Sequence, residues 1–177
     1  MKHWSLRPIE LNPSALRRGH PTVNDNDAIP LKLGYRPPLA WPELSGFLAS
    51  RGATCTERLD GDRYVRTVRL GGHVGWIAVA PLEQQNVLRV DVAPSLLPVL
   101  TPLLARLRHL FDLDANPAVV NAHLSRDRRL VALVRKTPGL RVPGTLDGFE
   151  LALRAVLGQQ ISVKAATTVF GRFAQFF

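Results

Sequence analysis

Asp60-Gly61-Asp62-Arg63-Tyr64-Val65-Arg66-Thr67-Val68-Arg69-Leu70-Gly71-Gly72-His73-Val74-Gly75-Trp76-Ile77-Ala78-Val79-Ala80 is the stretch on which the fold class turns. Tyr64–Leu70 and Val74–Ala80 are rich in β-branched and aromatic residues, and Gly71-Gly72 between them suits a tight hairpin turn. Asp60-Gly61-Asp62 is an equivalent turn after a further β-like run at 53–59. Downstream, the polar Gln84-Gln85-Asn86 precedes Val87–Val92, another strand. Connections this short predict hairpins, and therefore an antiparallel meander. Upstream, Ile29-Pro30-Leu31-Lys32-Leu33 alternates like a strand, and Pro37-Pro38 stops it. Trp41, Leu44, Phe47 and Leu48 then recur at helical spacing, with Gly52 as the C-cap.

After residue 92 the periodicity becomes helical. Leu97, Leu100, Leu104, Leu107 and Phe111 define one apolar face, and Pro98 and Pro102 predict a helix that starts late or is kinked. Pro117 opens a helix to about Leu124; Leu130, Leu133 and Val134 mark another, stopped by Pro138-Gly139. The expectation is an α+β chain: a tail or linker over 1–28, an antiparallel sheet with helices over 29–112, and a purely helical part over 113–177.

Lys plus Arg number 23 against 14 for Asp plus Glu, a formal charge of +9, and 46% of residues are hydrophobic. A core can form, and the basic surplus favours a polyanionic partner such as nucleic acid. Cys55 is the single cysteine, so no internal disulfide forms, and His3, His20, His73, His109 and His123 show no ligand spacing; no metal or cofactor is expected. No apolar run approaches the roughly 20 residues of a membrane span. A cytoplasmic monomer with no membrane association is the expectation. Arg126, Arg128, Arg129, Arg135, Lys136 and Arg141 form a basic cluster, read as a solvated face that could also follow a phosphate backbone.

The last two helices surround a polar break. Asp147 and Glu150 have capping-box spacing, and Phe149, Leu153, Val156 and Leu157 form one stripe, read as buried. Gly158 ends this helix, and Ser162 caps a second one bearing Val163, Ala166, Phe170, Phe173 and Phe177. Burying one Phe contributes about 1.5–3 kcal/mol. The three phenylalanines have no later sequence to cover them, which predicts a truncated helical domain; packing on the helices at 117–136 is the alternative.

Six segments follow one another from about residue 30 to the C-terminus. The first three are Leu33-Gly34-Tyr35-Arg36-Pro37-Pro38, Gly46-Phe47-Leu48-Ala49-Ser50-Arg51, and Leu110-Phe111-Asp112-Leu113-Asp114-Ala115-Asn116-Pro117. Arg141-Val142-Pro143-Gly144, Asp147-Gly148-Phe149-Glu150 and Arg154-Ala155-Val156-Leu157-Gly158-Gln159-Gln160-Ile161-Ser162 come next. In this order and register they resemble the bacterial DNA-3-methyladenine glycosylase II family.

The resemblance implies a TATA-binding-protein-like sheet followed by the first helices of a helix-hairpin-helix glycosylase domain. The implied activity is excision of alkylated bases from double-stranded DNA by base flipping and cleavage of the N-glycosidic bond, in base excision repair. It implies that Gln159, Gln160, Ile161 and Ser162 form a loop that enters the minor groove, with Gln160 at the tip. The family's usual tip residue is apolar, so Gln160 departs from the pattern. Phe47 matches an aromatic residue of the base pocket, where a ring face attracts an electron-poor or cationic base; helical periodicity alone reads it as core. Arg51, one turn on, falls at the pocket rim or on the surface. No position matches the family's catalytic aspartate: Asp147 reads as a cap, Asp112 and Asp114 as turn residues. The expectation is a fragment inactive alone; the alternative is a non-catalytic module that binds DNA or another partner.

Overall fold

The computed structural model describes residues 27–52 and 55–176, with side chains to 174. Five strands form one antiparallel sheet: β1 (Ile29–Gly34), β2 (Glu57–Asp60), β3 (Arg63–Leu70), β4 (His73–Leu82) and β5 (Val87–Val92), in spatial order β1-β5-β4-β3-β2. β2 to β5 are the expected meander, with Gly61, Gly71 and Gly72 at positive φ in its turns. The first run is shorter than expected. Its strand begins at Glu57, Cys55 and Thr56 are a turn, and 53–54 lie outside the described residues.

β1 pairs with β5, so the chain must return across the sheet to reach β2 at the opposite edge. Helix α1 (Trp41–Arg51) makes that connection, burying Trp41, Leu44 and Leu48. A 3₁₀ turn, Pro94–Val99, leads into α2 (Leu100–Leu110). Pro98 ends up in the 3₁₀ turn and Pro102 in the first helical turn, where its missing N–H costs no bond, so the helix does start late. Its face is rotated from the expected one. Leu96, Leu103, Leu107 and Leu110 are fully buried, whereas Leu97 is 47% exposed, because the tighter 3₁₀ turn shifts the angular register of everything before Leu100.

Partners across an antiparallel pair share a face. The register Tyr64↔Val79, Arg66↔Ile77, Val79↔Val90 and Ile77↔Val92 therefore gives one face of Tyr64, Val68, Ile77, Val79, Leu88, Val90 and Val92. This face and helices α1 and α2 enclose the core, in which the Phe111 ring lies 5.5 Å from Trp41 and 6.0 Å, edge-on, from Tyr64. The same register puts Glu57 opposite Arg66 on the core-facing side, near the sheet's β2 edge.

Beyond α2 come α3 (Pro117–Leu124), α4 (Val131–Lys136), α5 (Gly148–Leu157) and α6 (Val163–Phe176). The segment before α5 fastens this part to the sheet. Arg141, read from sequence as part of the basic cluster, is instead 4% exposed. Its guanidinium donates to the carbonyls of Arg36, Pro38, Asp112 and Ala115, because the chain reverses there and leaves those oxygens without ladder partners. Burial pulls its pKa below the ordinary arginine value, against the charge of Asp112. The Gly144 N–H donates to Leu110 O at 3.0 Å, Arg106 to Leu146 O at 2.9 Å, and Leu146 joins the core.

Two expectations for the final helices fail. Phe149 and Val156 are 69% and 64% exposed, so the stripe on α5 is not buried. Phe170 is 5% exposed rather than uncovered, because α6 folds back on α5 and its ring meets Arg154; Phe177 lies outside the described residues.

Candidate functional site

Asp147 caps α5, accepting from the Glu150 N–H at 2.9 Å, but the reciprocal arm of a capping box is diverted: the Glu150 carboxylate pairs with Arg66 and Arg154. At the other end Gly158 donates to Arg154 O at 2.9 Å and Gln159 to Val156 O at 3.2 Å, which closes the helix. Gln160 then takes φ +62°, and this left-handed residue turns the chain so that Ser162 can cap α6, its Oγ accepting from Ala165 N at 3.2 Å. A non-glycine residue in this region costs about 1–3 kcal/mol. Gln159, Gln160, Ile161 and Ser162 are all exposed, and Ile161, an apolar residue, is 43% exposed.

Beside this turn lies a cavity of about 520 Å³. Its walls come from α1 (Phe47, Arg51), the sheet edge (Glu57, Arg66), the segment Pro143–Leu146, α5 (Glu150, Arg154), the turn (Gly158, Ile161) and α6 (Phe170). Phe47 is 42% exposed, so it is not the core residue its helical spacing allowed. It faces this space, and the Arg51 guanidinium lies 4.3 Å from its ring centroid. Of the residues singled out from sequence, Phe47, Arg51 and Ile161 thus border one cavity, which also contains Gly158 at the start of the turn.

The floor carries four charges, Glu57, Arg66, Glu150 and Arg154, of which sequence reading singled out Glu150 alone, and only as a helix-capping residue. Arg66, 6% exposed, pairs with Glu150 at 2.7 Å and Glu57 at 3.7 Å. Arg154 bonds Glu57 and Glu150 and donates to Arg51 O at 2.7 Å. Tyr64 donates its hydroxyl to Glu57. Burial pushes the Tyr64 phenol far above its ordinary pKa, so it remains a donor. Burial opposes the Arg66 charge too, but the Glu57 and Glu150 carboxylates beside it outweigh that and keep this arginine protonated. Two glutamates and two arginines make the cluster formally neutral, which offsets the cost of burying Glu57 and Arg66. A Cβ at Gly52 would lie 2.0 Å from Glu57 Cγ, so the α1 C-cap must be glycine for Glu57 to reach beneath it. Glu150 and Arg154, four apart on one helix, offered a signal in the sequence; the Glu57–Arg66 pairing depends on strand register and offered none.

Among the described residues no group of three His, Cys, Asp or Glu side chains could hold a metal ion, and no helix is long and apolar enough to cross a membrane. Arg126, Arg128, Arg129, Arg135 and Lys136 are exposed, and Arg129 pairs with Asp127 at 2.8 Å. Asp112, at φ +50°, is the turn residue expected, and Asp114 pairs with Arg108.

The AlkA N-terminal domain family model matches residues 30–147. DNA-3-methyladenine glycosylase 2 of Escherichia coli is 36% identical over 145 residues, covering 82% of this chain and 49% of that protein. A probable bifunctional transcriptional activator/DNA repair enzyme AlkA of Mycobacterium tuberculosis is 36% identical over 165 residues, covering 93% of this chain and 33% of its own length. Among solved structures, a 3-methyladenine DNA-glycosylase from Archaeoglobus fulgidus superposes with a TM-score of 0.67 at 17% identity, over 80% of this chain and 48% of that one, which supports the fold. The chain spans half or less of each of these proteins. With a family match over most of the chain and 36% identity to both curated relatives, it belongs to the DNA-3-methyladenine glycosylase II family, of which it carries the AlkA N-terminal domain.

Proposed function

We propose that this chain is the lesion-facing part of a DNA glycosylase that removes alkylated bases of the 3-methyladenine type from double-stranded DNA. Gln159, Gln160, Ile161 and Ser162 enter the minor groove at the lesion, and the flipped base rests in the cavity against Phe47. The observation that carries this reading is the shared border: an exposed turn held open by a left-handed Gln160 stands beside a 520 Å³ cavity with a half-exposed aromatic wall. Base flipping needs both a wedge to fill the vacated stack and a pocket to receive the base. A glutamine tip offers an amide that can hydrogen-bond the orphaned partner base, where an apolar tip only fills space.

The chain alone carries out no excision in this account. Stabilising a departing base and an oxocarbenium-like sugar needs a carboxylate aimed at the sugar. The two carboxylates bordering the cavity, Glu57 and Glu150, are both occupied by Arg66 and Arg154. We place the catalytic aspartate in the remainder of the relatives' length.

The test is paired. The purified 177-residue protein is expected to release no 3-methyladenine from alkylated DNA above a heat-killed control, yet to bind a duplex containing an abasic-site analogue more tightly than the intact duplex. Release above the control would refute the assignment of chemistry elsewhere. Equal affinity for the two duplexes would refute the lesion-facing role and favour a second reading, a non-catalytic module that binds DNA through the exposed arginines of 126–135.

A further inference from the structure

We propose that Arg154 is a positioning residue that fixes the Gln159–Ser162 turn relative to Phe47; its functional half rests on the reading given above. The inference comes from what one guanidinium holds. Arg154 stands one helical turn before Gly158, where the turn begins. Nη1 donates to Arg51 O at the end of α1, and Nη2 donates to Glu57 on β2 and to Glu150 on its own helix. The guanidinium carbon Cζ lies 4.5 Å from the centroid of the Phe170 ring on α6. One side chain therefore touches α1, β2, α5 and α6, on both arms of the hairpin that carries the turn.

The contact to α1 leads directly to the base wall. Arg51 receives Arg154 on its carbonyl and covers Phe47 with its own guanidinium at 4.3 Å. Turn, Arg154, Arg51 and Phe47 form a continuous series of contacts along the cavity. Glu150 anchors the other side, since it also bonds Arg66 on β3 at 2.7 Å. The planar fork of arginine can serve three acceptors and a ring face together; a lysine ammonium has the charge but not the fork. Wedge and pocket must be correctly spaced for flipping, and misplacement by about 1 Å can cost on the order of 100-fold in a positioned reaction.

The test measures the spacing directly. In a Cys55→Ser background, spin labels at Ser50→Cys and Gln160→Cys report the α1-to-turn distance by pulsed electron resonance, and labels at Ser50→Cys and Arg69→Cys report α1 against the sheet. Arg154→Met and Arg154→Lys are expected to broaden or shift the first distribution and leave the second narrow. Glu150→Gln, which keeps the shape and loses the charge, is expected to broaden the first to a smaller degree. An unchanged first distribution in Arg154→Met would overturn the proposal, and so would equal broadening of both pairs, which means general loosening. With unlabelled protein, Arg154→Met is expected to cut the preference for abasic over intact duplex on the order of tenfold. Retention of the preference despite a broadened distance would overturn the functional half. A wild-type chain lacking the preference would sink the lesion-facing reading itself, while the distances still decide whether Arg154 acts as a clamp.

Discussion

At the scale of single residues, two side chains stand where their type is unexpected, and the reasons differ. Gln160 accepts a left-handed conformation that glycine would adopt freely. If the turn existed only to reverse the chain, glycine would serve better. Gln160→Gly should therefore leave stability unchanged or raise it by up to about 1 kcal/mol, measured by urea denaturation, while weakening abasic-duplex binding. A stability loss without a binding loss would contradict the role given to the amide. Arg141 is the opposite case, a charge used for folding. Hydrogen bonds to a charged group are worth about 1.5–3 kcal/mol each, and Arg141 serves four carbonyls. Arg141→Met should cost at least about 3 kcal/mol, seen as a lower denaturation midpoint. A change within about 0.5 kcal/mol, typical of surface positions, would return this residue to the basic surface where its sequence neighbours lie.

At the scale of elements, the contacts that hold the α5–α6 hairpin include the Asp147 and Ser162 caps, the charged cluster, and Phe170. Truncating a packed phenylalanine costs about 3–5 kcal/mol. Phe170→Ala should thus speed hydrogen exchange through α6 while β3, β4 and β5 keep their protection, a local opening. Loss of protection in the sheet as well would mean that the hairpin and the core unfold together. The elements were legible in the sequence to different degrees, for physical reasons. The strands could be read because Gly61, Gly71 and Gly72 mark turns that need positive φ. The α2 face was misread because a 3₁₀ turn advances by a different angle than an α-helix, which left Leu97 outside. The stripe on α5 showed in the periodicity, but periodicity gives a direction and not a covering partner, and Phe149 stays exposed. The floor of the candidate site could not be read, because Glu57 meets Arg66 only through strand register and meets Arg154 only after α5 folds back over the sheet.

At the scale of the whole molecule, a sheet-and-helix core carries a less embedded helical part. Val142 at 81%, Phe149 at 69%, Val119 at 63% and Leu133 at 62% exposure all lie beyond α2. The core side fixes Phe47, the helical side carries the turn, and the cavity lies between them. If this arrangement serves DNA, the tip of the turn must reach the lesion while the basic segment stays on the flanking backbone. The most direct measurement places a photo-crosslinking side chain at Gln160, and separately at Arg128, in the 177-residue protein bound to a duplex with one abasic-site analogue. The account predicts that the Gln160 probe crosslinks to the nucleotides at and opposite the analogue, with little reaction on intact duplex, and that the Arg128 probe reacts with flanking positions regardless of the lesion. Crosslinks from Gln160 that are absent, or spread equally over both duplexes, would contradict it.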